Sequence, residues 1–140
     1  MRPIEDVIAE HSGNARKVLD YGLLMKRMVD EAKQPGFSRE SWDVLLDLIA
    51  DDDFERIGNF KEVMDWQQYV DFLAGWAPAA EWDCSFKRVT EVDDRVYLEL
   101  EERSRMGDFS STVNSLSVYE FGADGRIHHL DVYLQMSLPG

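Results

Sequence analysis

The chain has 140 residues, of which 44% are hydrophobic and 31% charged, and this apolar share excludes a disordered chain. Its 28 acidic residues outnumber 15 basic ones, and the net charge of −13 argues against a nucleic-acid or anionic-membrane partner because phosphate repels such a surface. One cysteine, no apolar run near the roughly 18 residues of a membrane span, and no signal-like start predict a single cytoplasmic domain over residues 1–140.

The first half of the chain predicts helices. In the first helix, apolar residues recur every three or four positions after a cap at Ser12 or Asn14, and Gln34-Pro35-Gly36 ends it. A second helix begins after Ser38, which is a favourable capping residue. It ends at Asp51-Asp52-Asp53, which we interpret as a turn because three acids oppose the dipole of a helix C-terminus.

A third helix follows a short extended piece at Phe54–Ile57. Asp65 and Gln68, three residues apart, resemble a capping box at its start, and Pro78 ends it. The second half of the chain has long alternating segments separated by short polar turns, which is typical of an antiparallel meander. The predicted strands are Trp82–Val89, Arg95–Arg105, Ser110–Phe121 and Arg126–Met136.

Helices followed by strands predict an α+β fold, in which the helices pack on the concave face of a curved antiparallel sheet. The two faces of each strand follow from its period of two. The apolar file of the second long strand includes Glu102, and the inner files of the last two strands contain Ser115, Ser117 and His128. If the helices do not fill the resulting cone, a largely apolar pocket remains, with these polar groups inside it.

Three segments carry a resemblance to a known family. They are the helix-to-strand joint 48–55, the Gly-containing loop before the third helix, and the closing hairpin 118–134, which contains Gly125-Arg126-Ile127. Their order and spacing resemble the nuclear transport factor 2-like superfamily, in its SnoaL-like branch, over nearly the whole chain. The resemblance implies a single cone-shaped α+β domain. Relatives include ketosteroid isomerases, limonene-epoxide hydrolases, scytalone dehydratases, polyketide cyclases and non-catalytic binding modules, so the scaffold alone names no function.

The isomerase residues are not retained at the matching positions. Arg56 stands where the resemblance implies the catalytic Asp, and Ser117 stands where it implies the oxyanion-binding Asp. The position of the isomerases' tyrosine in the first helix corresponds to a position near Met25 in this chain, although Tyr21 lies one turn away. The isomerase mechanism is therefore not transferred to this chain by the resemblance.

The Asp–Arg–Asp set of the epoxide hydrolases is also interrupted. Glu102 matches one Asp position, but Leu100 and Val132 occupy the Arg and second Asp positions. We therefore predict that Glu102 acts as the general acid or base and that Arg56 stabilises negative charge on a carbonyl or enolate oxygen. The alternative is an ion pair between these two side chains that has no chemical role.

The predicted function is cofactor-free acid–base chemistry on a small lipophilic ring compound, of isomerase, cyclase, dehydratase or epoxide-hydrolase type. The alternative is a non-catalytic ligand-binding or protein-interaction module of the same fold. Tyr21, Trp66 and Tyr69 could instead fill the core, as Trp42 and Trp76 are expected to do. The residues predicted to bind substrate are Tyr21, Phe54, Trp66, Tyr69, Leu100, Ser117 and Val132.

The sequence predicts no cofactor and no metal site. His128 and His129 are adjacent on a strand and point to opposite faces, so they do not readily bind one ion. The outer faces of the last two strands carry Leu116, Val118 and Tyr133. Since relatives commonly dimerise through this surface, we expect a symmetric homodimer.

Overall fold

The computed structural model of the protein describes residues 1–138 and consists of a layer of helices and a curved sheet. The α-helices are α1 (Ile4–Val7), α2 (Gly13–Glu31) and α3 (Trp66–Trp76), and 3₁₀ helices span Ile8–Glu10, Arg39–Asp47 and Ala77–Ala79. The strands are β1 (Glu55–Ile57), β2 (Val63–Met64), β3 (Glu81–Val92), β4 (Arg95–Met106), β5 (Phe109–Phe121) and β6 (Ile127–Gln135). The predicted α+β fold class is confirmed.

The sheet has the strand order β2-β1-β6-β5-β4-β3. The four long strands form the predicted antiparallel meander. The short strand β1, which the sequence indicated only as an extended piece, pairs in parallel with β6, and Arg56 lies opposite Leu130. Because paired residues share a face of the sheet, this register places Arg56 on the same face as the buried Leu130.

The helices cover the concave face of the sheet. Helix α2 packs against β3 and β4, and α3 packs against β1 and β2. The core between the two layers includes Trp42 and Leu45, both fully buried. Among residues 1–138, no helix has the length and apolar character needed to cross a membrane.

A carboxylate on the sheet accepts a hydrogen bond from the N-terminus of helix α2. Ser12 precedes the helix, as predicted, but its side chain makes no capping hydrogen bond. Instead, the backbone N–H of Ala15 donates to Glu91 Oε1 at 2.9 Å. A carboxylate at this position satisfies a free N–H group and has a favourable interaction with the helix dipole.

The second predicted helix is a 3₁₀ helix, and its sequence explains why. Trp42, Leu45 and Leu48 follow one another at intervals of three, which aligns them on one face when there are three residues per turn. Ser38 is the N-cap residue of this segment, as predicted, and its backbone N–H donates to Ser41 Oγ at 3.1 Å.

The capping box of α3 is confirmed. The Gln68 N–H donates to Asp65 Oδ1 and the Asp65 N–H donates to Gln68 Oε1, each at 2.9 Å. This reciprocal pair fixes where α3 begins, and so determines which of its side chains face the sheet.

Candidate active-site cavity

A cavity of about 330 Å³ lies between the concave face of the sheet and helices α2 and α3. It has the size and the mostly apolar lining that are typical of small-molecule sites. A surface cleft lined by polar residues adjoins the cavity, because the cleft and the cavity share Trp82, Ser104 and Ser111. The apolar wall includes Met25, Leu73, Trp76, Leu98, Leu130 and Leu134.

Glu102 is the carboxylate of this cavity. It lies on the inner face of β4, opposite Cys84 on β3 and Val113 on β5, as the alternation predicted. Its Oε1 accepts a hydrogen bond of 2.9 Å from the Trp82 indole N–H. The indole therefore holds one carboxylate oxygen in place, and Oε2 has no protein donor within residues 1–138. On the neighbouring strand, burial of Cys84, and secondarily the negative charge of Glu102, raises the pKa of the Cys84 thiol to about 12.

Arg56 is the cation of the cavity, and it stacks on aromatic rings. Its guanidinium carbon lies 5.2 Å from the centroid of Tyr69 and 6.0 Å from that of Phe72. Such cation–π contacts hold the guanidinium plane without using its N–H donors. In the described part of the chain, no carboxylate lies within 4.0 Å of Arg56, so Arg56 and Glu102 line one cavity without forming an ion pair.

Three tyrosines line the cavity beside Arg56. The hydroxyls of Tyr21 and Tyr69 are hydrogen-bonded at 2.7 Å, and both residues are buried. The Tyr119 ring packs edge-on against Tyr21 at 5.8 Å between centroids. Burial raises the pKa values of Tyr21 and Tyr119, so both hydroxyls keep their protons at neutral pH. Because a pair of hydroxyls uses only one of its two protons internally, the Tyr21–Tyr69 pair retains one O–H for another acceptor.

The cavity brings together Glu102, Arg56 and five of the seven residues predicted to bind substrate. Phe54 and Trp66 are the exceptions: they are 3% and 4% exposed, lie in the core and do not line the cavity. Their rings pack against each other at 6.0 Å between centroids. Helical spacing identified Trp66 as inward-facing, but an apolar pattern does not distinguish a filled core from a cavity wall. The five that line it are Tyr21, Tyr69, Leu100, Ser117 and Val132.

The expectation that His128 faces the pocket is wrong. The register of β5 and β6 shifts so that Glu120 pairs with His129 and Phe121 with Ile127, which leaves His128 as the additional residue of a β-bulge. Ile127 is consequently the fully buried residue at this end of β6. His128 instead contacts carboxylates of the preceding turns.

Two further differences concern Ser115 and Trp76. Ser115 on β5 is buried, but it does not line the cavity, and its hydroxyl finds no hydrogen-bond partner among the residues described. Trp76, expected in the core, is only half-buried and forms part of the cavity wall, stacked on Phe72 at 6.1 Å. The sequence also gave no indication of Trp82 as the partner of Glu102, although both lie on inner files of adjacent strands.

No group of metal-ligating side chains lines this cavity within residues 1–138. The polar groups available to a ligand include the Glu102 carboxylate, the Arg56 guanidinium, and the hydroxyls of the tyrosines and of three serines, Ser104, Ser111 and Ser117. Together they can accept a proton at one place and donate hydrogen bonds to an oxygen at another.

The sequence matches no protein-family model and no curated protein. Solved structures share its fold. A candidate SnoaL-like polyketide cyclase from Jannaschia sp. has a TM-score of 0.62 at 18% identity, covering 91% of this chain and 93% of its own. An NTF2-like protein from Anabaena variabilis has a TM-score of 0.62 at 15% identity, covering 91% and 94%. An LEH-like epoxide hydrolase from M. tuberculosis has a TM-score of 0.58 at 16% identity, covering 80% and 84%.

Proposed function

We propose that this chain, which has the nuclear transport factor 2-like fold, binds a small and mostly apolar ring compound in its cavity and performs cofactor-free acid–base chemistry on it. One observation carries the proposal: Glu102 and Arg56 face the same apolar cavity but are not paired with each other. Charged groups in apolar surroundings are costly unless they are paired, so each favours a ligand with complementary polar atoms.

Glu102 is the proposed proton acceptor and donor. The Trp82 indole holds Oε1, so Oε2 remains for a proton on a ligand carbon or oxygen. A hydrogen bond to one carboxylate oxygen orients the other, which favours proton transfer in a fixed direction. The reaction class is enolisation of a ring ketone or a related step of cyclisation, dehydration or epoxide opening.

Arg56 and the tyrosine pair are the proposed stabilisers of negative charge. When Glu102 removes a proton beside a carbonyl, charge develops on the carbonyl oxygen, and preorganised donors lower the free energy of that state. The guanidinium N–H groups of Arg56 and the remaining hydroxyl proton of Tyr21 and Tyr69 are such donors. Tyr69 contacts both Arg56 and Tyr21, because the Arg56 guanidinium lies over the Tyr69 ring and the Tyr69 hydroxyl is hydrogen-bonded to that of Tyr21.

The second candidate is a non-catalytic binding protein. The aromatic wall formed by Tyr69, Phe72 and Trp76 supports this alternative, because flat ligands stack on such rings without any proton transfer. In this case Glu102 would orient Trp82 and a ligand hydroxyl, and Arg56 would select for an oxygen-bearing ligand.

The test separates binding from proton transfer. A panel of flat ring ketones, terpene epoxides and aromatic polyketide mimics is screened by thermal shift, since a ligand of the folded state raises Tm by mass action. Deuterium exchange at the carbon beside the carbonyl of any ketone hit is then followed by NMR in D₂O. Glu102→Gln is compared with Glu101→Gln, a matched control on the opposite face that pairs with Arg103 at 2.8 Å.

Exchange that needs wild-type Glu102 and persists in the Glu101→Gln variant would support the catalytic proposal. A hit that binds wild type without exchange would favour the binding-protein alternative. Failure of every panel member to raise the Tm of the wild type would count against both candidates.

A cytoplasmic single domain over residues 1–140 and a symmetric homodimer stay predictions. For the dimer, we propose the outer sheet face, where Tyr133 is 56% exposed and Leu116 and Val118 are half-buried. Sedimentation equilibrium of the wild type and of a Tyr133→Glu variant tests it: a dimer that the substitution dissociates is expected, and a wild-type monomer at all concentrations would rule it out.

A further inference from the structure

A second cluster of polar side chains lies on the opposite face of the sheet from the cavity. His129, Glu120 and Asp131 are all half-buried there, and one ligand atom from each lies within 4.8 Å of the others. None of the three takes part in the proposed chemistry of the cavity. They come from adjacent strands β5 and β6, so rigid elements hold them.

The register of three strands assembles this cluster. Glu55 on β1 pairs with His129 on β6, and His129 pairs with Glu120 on β5. Asp131 follows His129 by two residues and therefore shares its face. Four polar side chains thus meet across three strands, although Glu55 lies 65 residues before Glu120 in the sequence.

The two nitrogens of His129 face different groups. Nε2 lies 3.0 Å from Asp131 Oδ1 and 4.0 Å from Glu120 Oε2, and Nδ1 lies 3.4 Å from Glu55 Oε1. One nitrogen is thus shared between two carboxylates, and the other faces a third. A carboxylate behind the non-ligating nitrogen is the arrangement that orients metal-binding histidines in proteins.

We propose that His129 Nε2, Asp131 and Glu120 bind a divalent transition-metal ion, with Zn²⁺ as the preferred probe, and that Glu55 orients the imidazole. Tetrahedral Zn²⁺ with bonds of about 2.0–2.1 Å brings its ligand atoms to about 3.3 Å from one another. The distance from His129 Nε2 to Asp131 Oδ1 is already near this value. Glu120 Oε2 must move about 0.7 Å closer to Nε2 to reach it. A water molecule would complete the coordination.

Binding of the ion selects one tautomer of His129. In the metal-free protein, His129 Nε2 is hydrogen-bonded to Asp131 Oδ1 at 3.0 Å. Metal binding requires the Nε2 lone pair, so the proton is carried on Nδ1, where Glu55 accepts it. The ion also offsets the negative charge of the surrounding carboxylates. Within residues 1–138, Glu120 is the one carboxylate of the cluster paired with an Arg, since Arg95 Nε lies 3.4 Å from its other oxygen.

His128 supplies a matched control in the adjacent position. Its Nδ1 faces Asp53 at 2.6 Å and its Nε2 faces Asp124 at 2.8 Å, so each nitrogen has one carboxylate and neither is shared. The two histidines therefore differ in geometry, although they are adjacent in the sequence and similarly exposed.

Isothermal titration of chelator-treated protein with Zn²⁺ tests the proposal. We expect one ion per chain at micromolar affinity, weaker Mn²⁺ binding and still weaker Mg²⁺ binding, as ligand type and the Irving–Williams order require. His129→Ala should abolish binding, and Asp131→Asn should weaken it by about tenfold or more. His128→Ala should bind Zn²⁺ as the wild type does. Circular dichroism checks that each variant is folded.

Glu55→Gln examines the orienting role through a different measurement. It should weaken Zn²⁺ binding by about tenfold and change the visible spectrum of bound Co²⁺, whereas a loss of folding would remove the spectrum altogether. The proposal is overturned if the wild type binds no Zn²⁺ at one equivalent per chain. It is equally overturned if His128→Ala loses as much affinity as His129→Ala does.

Discussion

The hydroxyl pair of Tyr21 and Tyr69 offers a sharp quantitative test of the cavity. The two residues are 5% and 6% exposed, and their hydroxyls are 2.7 Å apart. Tyr21→Phe or Tyr69→Phe alone leaves one buried hydroxyl without its partner, at a cost of about 1–2 kcal/mol in the free energy of unfolding. For a chain of 140 residues, each kcal/mol corresponds to a decrease in Tm of about 3 °C.

The double variant distinguishes this interaction from a general loss of packing. Replacing both tyrosines by Phe removes both polar groups together, so its cost should be smaller than the combined cost of the single variants by about 1 kcal/mol. Urea unfolding of the four proteins measures this coupling, with exposed Tyr133→Phe as the control expected to stay within about 0.5 kcal/mol of wild type. Costs that are simply additive would refute the hydrogen-bonded pair and its spare donor in the cavity.

Three other outcomes follow from the surroundings of single residues. The hydrogen bond with Asp124 raises the pKa of His128 above 6.5. The contribution of this bond to the stability of the fold is therefore complete below pH 6.5 and is lost as the pH rises through the higher pKa of the folded state. Asp124→Asn should lower the pKa of His128 measured by NMR. Burial raises the pKa of the Cys84 thiol to about 12, and folded protein should therefore react with Ellman's reagent far more slowly than urea-unfolded protein. Gly125 has φ +77°, so Gly125→Ala should cost about 1–2 kcal/mol in urea unfolding.

Alternation along the long strands predicted most of the cavity wall. Leu100, Glu102, Ser117 and Val132 face inward as expected, because β4, β5 and β6 pair without interruption over these residues. Alternation failed at His128, where one additional residue in β6 reverses the faces. A bulge of this kind depends on pairing with the neighbouring strand, so a single strand read by itself does not reveal it.

The position of Arg56 shows a second limit of sequence reasoning. A strand of three residues has too few positions for its pattern to assign a face, and its orientation depends on which strand it joins. Parallel pairing with β6 decides the matter, because Arg56 lies opposite Leu130 on the inner face. The same pairing places Glu55 beside His129 on the outer face, so one contact defines both candidate sites.

The place of β6 in the sheet also has a consequence for the order in which the chain folds. It is synthesised after all the other strands, yet it lies in the middle of the sheet between β1 and β5. A nascent chain that has not yet emerged through residue 135 can form the β3–β4–β5 meander, but it has nothing to which β1 and its arginine can attach. Such long-range pairing slows folding, because the chain between the paired strands must first be ordered. The wall of the cavity is therefore complete only after β6 has been made, and the partly made chain exposes β5 as an open edge until β6 arrives.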